Sequence, residues 1–213
     1  MRQQGQGARA RRRGGGPLRG RQGPLAQGQR RTLRLRRPPV ALTLVLLRHA
    51  KAKRPDGLTD DVDRPLNKRG RAAASLMGAR FARLKLPVDT ALCSAAMRTR
   101  QTWDRFAEAA RLKAKPLYED ALYLAEPEDI LDRVHSLPKR IKTALIIGHN
   151  PGLHELALEL AGKGAVVPMA ALQERFPTGA LAVITFNVKS WPAIEPGSGR
   201  LSELLFPRDL ENA

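Results

Sequence analysis

Three short apolar runs, ALTLVLL over residues 41–47, DTALCS over 89–94 and KTALIIG over 142–148, constrain the fold of this chain most. None alternates between apolar and polar residues, so each predicts a strand with neither face open to water. Strands covered on both sides belong to parallel sheets with helices packed on each face. The segments between the runs are helical in pattern. Residues 66–84 place apolar side chains at helical spacing ahead of Pro87, 95–112 do so ahead of Pro116 as their stop, and 128–137 end at Pro138. Asn150 is placed to cap a helix that has Pro151 at its first position, runs to about Ala161 and stops at Gly162. ALAVITFNV over 180–188 and the stretch 199–206 supply two further strands. The alternation predicts a single three-layer α/β domain over residues 41–213, with a mainly parallel central sheet flanked by helices. Function in such sheets sits in loops at the carboxyl ends of the strands.

Charge divides the chain in the same place. The net charge of +18 is concentrated in residues 1–40, which hold twelve arginines and no Asp or Glu. Residues 41–213 then carry 26 basic residues against 20 acidic ones. The first forty residues are rich in Arg, Gly, Gln and Pro and predict a disordered basic tail, because they offer too little apolar surface to offset the entropy of ordering. Three readings of it stand: a solvated extension, an extension created by an upstream start codon, and an anchor for nucleic acid or another acidic surface through phosphate contacts. Residues 1–39 contain no aromatic side chain on which bases could stack. They contain no apolar core of a secretory signal and no serine of the kind transit peptides use. No apolar run reaches the length of a membrane span, and a single cysteine, Cys93, excludes an internal disulfide. A cytoplasmic protein with no membrane partner is the expectation.

Each predicted inner strand is followed by a polar cluster: Arg48-His49-Ala50-Lys51, then residues 94–102 (SAAMRTRQT), then Gly148-His149-Asn150-Pro151-Gly152. In a parallel sheet all three meet at one edge, so two histidines and at least two arginines share a pocket. Arginine suits a phosphoryl group, because its planar fork matches the oxygens and its charge is permanent.

These clusters carry a resemblance. The blocks LTLVLLRHAKA (42–52), DVDRPLNKRG (61–70), CSAAMRTRQT (93–102), IIGHNPGL (146–153) and FPTGALAVITF (176–186) resemble, in order, the histidine phosphatase superfamily that includes phosphoglycerate mutases. Within it the nearest likeness is to SixA-type phosphohistidine phosphatases. The resemblance implies His49 as nucleophile, Arg48 and Arg98 as phosphate-binding arginines and His149 as the second catalytic histidine. It implies a phospho-His49 intermediate hydrolysed by water, with no metal and no cofactor. The implied substrate is phosphohistidine on a protein, with a small phosphorylated metabolite as the alternative. An imidazole is a competent nucleophile near neutral pH, provided its other nitrogen is tied to an acceptor. Many members protonate the leaving group with an acid. Asp56, Asp63, Glu119 and Asp120 are the candidates here, and no motif selects among them.

Rival readings are weaker. A cysteine-based phosphatase needs five residues between Cys and Arg, whereas Cys93 precedes Arg98 by four intervening residues and Arg100 by six. Cys93 therefore reads as a core thiol. His154-Glu155 begins a zinc-protease motif that Leu158 breaks. His135 reads as structural, Arg100 as a surface arginine, and Ser94 and Asn150 as caps. Asp63 and Arg64 read as a local salt bridge. A non-catalytic phosphoryl- or nucleic-acid-binding protein remains the alternative outside enzymes, but it has no need of all four of Arg48, His49, Arg98 and His149.

Overall fold

A computed structural model describes residues 41–211. The readings made above for residues 1–40, nucleic-acid binding included, lie outside the described residues.

Seven strands form one sheet in the order β3-β2-β4-β1-β6-β7-β5. The inner strands are β1 (Leu42–Arg48), β2 (Thr90–Ser94), β4 (Thr143–Gly148), β6 (Leu181–Phe186) and β7 (Gly199–Leu205). β3 (Pro116–Glu119) and β5 (Ala161–Gly164) are the edges. β1–β4, β4–β2, β2–β3 and β5–β7 pair in parallel, while β6 runs antiparallel to both β1 and β7. One reversed strand in an otherwise parallel sheet matches the expected class.

The unbroken apolar runs are explained by two cores, one on each face. Leu42, Leu44, Leu46, Leu92, Ala144 and Ile146 pack towards α3 (Pro127–His135), α4 (Gly152–Leu160) and α5 (Val166–Glu174). Val45, Leu47, Ala91, Cys93, Leu145 and Ile147 face α1 (Lys68–Ala82) and α2 (Met97–Ala110), where they meet Met77, Phe81, Trp103 and Phe106. The alternation of side chains along a strand sends neighbours to opposite faces, and both faces demand apolar groups.

The expected helices form, with local corrections. Asn67 caps α1, its side chain accepting from the Gly70 amide at 2.8 Å. Gly70 is required because a methyl there would overlap the Lys51 carbonyl, against which the first turn of α1 packs. Pro116 does not stop α2. Arg111 does, in the left-handed conformation (φ 55°), and Pro116 opens strand β3. Asn150 does not cap α4, which begins at Gly152 after Pro151: its side-chain oxygen accepts from no described group, while its amide nitrogen donates to the Phe176 carbonyl at 3.0 Å. Gly162 lies inside β5, and α5 and the five-residue α6 (Pro207–Glu211) come in addition to the expected elements.

Candidate active site

Strand register assembles the site. Leu47 and Cys93 both stand opposite Ile147, and Arg48 stands opposite Gly148. The chain therefore leaves β1, β4 and β2 at one level on adjacent strands, about 4.8 Å apart. That puts His49, His149 and Ser94 side by side at the carboxyl edge. The ring centroids of His49 and His149 lie 5.1 Å apart.

The backbone of His49 is fixed from two sides. Its amide donates to Gly148 at 3.0 Å, and its carbonyl accepts from the Gly179 amide at 3.0 Å. Gly179 has φ 81°, a conformation that favours glycine. The His49 ring nitrogen Nδ1 is 2.8 Å from the Ala50 carbonyl oxygen. A carbonyl can only accept, so Nδ1 carries the hydrogen and Nε2 keeps its lone pair. Burial lowers the His49 pKa to about 4, with further lowering from Arg98 and Arg48. The ring is thus neutral at physiological pH, with a nucleophilic nitrogen available.

His149 is also neutral. It is 3% exposed, and burial, reinforced by the neighbouring His49 ring, with which it cannot readily share a second proton, and by the Arg98 charge, lowers its pKa to about 3. Its Nε2 lies 2.9 Å from the Ser94 hydroxyl, which also accepts from the Ala96 amide at 3.5 Å. Among the described residues the hydroxyl hydrogen meets no acceptor other than Nε2, so it points there, and the ring hydrogen resides on Nδ1. Tyr123 sits edge-on to the ring at 5.4 Å.

Both guanidinium groups are anchored on one side only. Arg48 donates through Nη1 to the Phe176 carbonyl at 2.8 Å, and burial lowers its pKa. Arg98 is 2% exposed and is held by Asp61, through the backbone carbonyl and through Oδ2 at 2.9 Å. Asp61 lies on a 3-10 turn (Asp61–Asp63) and also receives the Tyr123 hydroxyl at 2.7 Å and Arg64 Nη2 at 2.6 Å. These partners, the Tyr123 hydrogen bond foremost, hold its carboxyl well below the usual carboxylate range. Three buried nitrogens keep no partner within the described residues: Arg48 Nε, Arg98 Nε and His149 Nδ1. Each such donor costs about 1–3 kcal/mol when buried unsatisfied. A set of donors kept beside a neutral imidazole is a site for an acceptor-rich anion.

The structure brings together all four residues singled out in the sequence and adds Ser94, Asp61, Arg64 and Tyr123. Ser94 binds His149 rather than serving only as a cap. Arg64 pairs with Asp61, not with its neighbour Asp63, because the 3-10 turn aligns positions three apart. Two of the four candidate acids are engaged elsewhere: Asp56 caps its own loop through Leu58 and Thr59, and Glu119 is paired with Arg133 at 2.7 Å. Arg100 is half-buried, with Nε donating to the Ala95 carbonyl and its guanidinium 4.2 Å from the Tyr118 ring centroid. Cys93 is buried, which pushes its thiol up to about 12. His135 and His154 bond the carbonyls of Ile194 and Leu172. Among the described residues no group of three or more His, Cys, Asp or Glu side chains is placed to hold a metal ion, and no helix is long and apolar enough to cross a membrane.

A mainly parallel α/β sheet with a histidine pair and two arginines at its carboxyl edge is an arrangement suited to handling a phosphoryl group. Comparison with known proteins makes this specific. The sequence profile of the histidine phosphatase superfamily (branch 1) matches residues 44–122. An uncharacterized protein of Mycobacterium tuberculosis is 36% identical over 165 residues, 76% of this chain and 100% of the relative. A solved structure from Nakamurella multipartitia, named for the phosphohistidine phosphatase SixA, is 32% identical with a TM-score of 0.67, covering 80% of this chain and 99% of that one. A structure of the same name from Agrobacterium tumefaciens is 30% identical with a TM-score of 0.66, covering 78% and 98%. The chain belongs to the histidine phosphatase superfamily.

Proposed function

We propose that residues 41–213 form a catalytic domain that removes the phosphoryl group from phosphohistidine on proteins through a phospho-His49 intermediate. The observation that carries this reading is the His49 tautomer, with Nδ1 hydrogen-bonded to Ala50 and Nε2 left to attack, beside three partnerless buried donors. In the first step Nε2 bonds to phosphorus as the phosphorus–nitrogen bond of the substrate breaks, and the departing imidazole takes a proton from solvent. Arg48, Arg98 and His149 Nδ1 hold the equatorial oxygens, where transition-state charge spreads. In the second step water attacks phosphorus, the bond to Nε2 breaks, and phosphate leaves with neutral His49 restored. Neither step needs a metal or a cofactor.

The substrate preference rests on the leaving group. Asp61, the carboxylate in contact with Arg98, is held ionised and cannot donate a proton at neutral pH. An alkoxide leaves poorly without an acid, whereas imidazole leaves readily. The names of the Nakamurella and Agrobacterium relatives point the same way.

The test is to trap the intermediate. Wild type and His49→Ala are incubated with a labelled phosphohistidine protein and with a simple phosphomonoester, quenched in alkali and assayed for acid-labile label on the chain. Label on wild type only, and faster turnover of phosphohistidine, are expected. Faster turnover of the monoester would move the assignment to a small-molecule phosphatase, and absence of label and turnover would favour a binding protein.

A further inference from the structure

A cavity is lined in part by residues close in sequence to His49 and to its backbone partner Gly179. It has a volume of about 290 Å3 and is rimmed by Lys51, Arg69, Arg175 and Arg208. Asp209 is the one carboxylate at its edge among the described residues, and Phe206 and two prolines supply an apolar floor. Its position is set by the same backbone that fixes His49. Lys51 follows His49 by two residues, and Thr178, also on the lining, precedes the Gly179 amide that donates to the His49 carbonyl. Two residues of extended chain span about 7 Å at most, so one peptide can reach both places.

We propose that this cleft is a specificity site for an acidic segment flanking the phosphorylated residue of a protein substrate. The proposal rests on the phosphohistidine reading above. Lys51, Arg175 and Arg208 against Asp209, the one carboxylate among the described lining residues, select negative charge, and the apolar floor takes the stem of an acidic side chain or an apolar neighbour. The volume falls at the lower limit for a whole small ligand, which suits one or two side chains of a longer substrate. Arg175 is suited to the rim: its guanidinium lies 5.5 Å from the Phe206 ring centroid, and its link to Glu174 is a loose 3.8 Å.

The experiment compares two phosphohistidine peptides that differ only in flanking residues, Asp and Glu in one and Asn and Gln in the other. Full-length wild type, Arg175→Ala/Arg208→Ala and a control, Arg105→Ala/Arg111→Ala, are assayed with both, and p-nitrophenyl phosphate reports the active fraction of each preparation. Wild type and control should show a KM roughly fivefold lower for the acidic peptide, the size expected of two partly exposed charge contacts. The Arg175/Arg208 variant should lose that preference. No preference in wild type, persistence in the cleft variant, or equal loss in the control would overturn the proposal. Binding of the phosphate-free acidic peptide, followed by fluorescence anisotropy at low salt, separates the cleft from the chemistry. If neither peptide is turned over but the acidic one binds in a manner that needs Arg175 and Arg208, the phosphohistidine reading fails and the cleft stands. Binding that ignores these arginines overturns the cleft.

Discussion

Lowering the pH tests the electrostatics of the site directly. Free histidine titrates near 6.5, whereas burial and the neighbouring arginines lower His49 to about 4 and His149 to about 3. At pH 5 an unshifted ring is about 3% neutral, while one with a pKa of 4 is about 90% neutral, roughly a thirtyfold difference in competent nucleophile. The same shift is a stability statement. As pH falls below 6.5 the unfolded chain takes up these protons and the folded chain does not, so stability declines. The decline from His49 ends only near its folded value, for a loss of about 3 kcal/mol at 1.36 kcal/mol per unit, a large part of the ~5–15 kcal/mol of an ordinary domain. NMR of the histidine rings from pH 8 to acid denaturation provides the assay, with kcat/KM followed alongside. Both rings should remain neutral at pH 5.5, and inorganic phosphate should raise both midpoints, because a dianion favours the protonated ring. A His49 or His149 midpoint near 6.5 without phosphate would refute the reasoning.

Three further outcomes follow from single contacts. Ser94→Ala removes the hydroxyl that fixes the His149 tautomer, and kcat should fall about tenfold, the value of one neutral hydrogen bond near 1.4 kcal/mol, with KM little changed; ring 15N shifts of His149 should move with it. Asp61→Asn leaves the buried Arg98 without its countercharge, and because Asp61 is itself 47% exposed the cost is held to about 1–2 kcal/mol, read as a lower midpoint in thermal unfolding. Its wild-type contribution is present above the ordinary carboxylate pKa and is lost below it, in a more acidic window than the histidines occupy. Cys93→Ser should keep turnover within about twofold, and the wild-type thiol should resist iodoacetamide at pH 8, as burial and a pKa near 12 require.

What could be read in advance was whatever side-chain chemistry announced. β1, β2 and β4 were legible because burial on both faces fills their central positions with consecutive apolar residues. β3 and β5 were not. Each has four residues at a sheet edge, one beginning at Pro116 with Leu117 and Tyr118 exposed, the other reading Ala-Gly-Lys-Gly, so backbone pairing rather than composition makes them strands. α5 carries exposed Val166 and Val167 and buries only Leu172 fully, which leaves no apolar stripe to detect. At the site, Arg48, His49 and His149 stood out because they follow inner strands, and Arg98 because its block was distinctive. Asp61 and Tyr123 depend on loops that bring residues 37 and 62 positions apart into contact. One signal was available: Ser94 ends its strand at the level of His49 and His149, which marks it for the same pocket.

The pairing of anchors with open donors explains how so much charge can stand at the edge of an apolar core. Each guanidinium is held on one side by the protein, Arg48 by the Phe176 carbonyl and Arg98 by Asp61, and keeps Nε on the other. The side chains are therefore already oriented, and an incoming oxygen meets a donor that loses little further freedom. Three arginines, Arg48, Arg64 and Arg98, against one carboxylate, Asp61, leave a surplus of two positive charges while both histidines are neutral. A phosphoryl dianion balances that surplus. Protonating either ring would add a charge the dianion cannot match, and protonating His49 would also consume the lone pair that attacks in the proposed mechanism. On the mechanism proposed above, burial of the imidazoles and permanence of the guanidinium charge serve one end: attraction comes from groups that never titrate near neutral pH, and the histidines are left free for nucleophilic attack and hydrogen-bond donation.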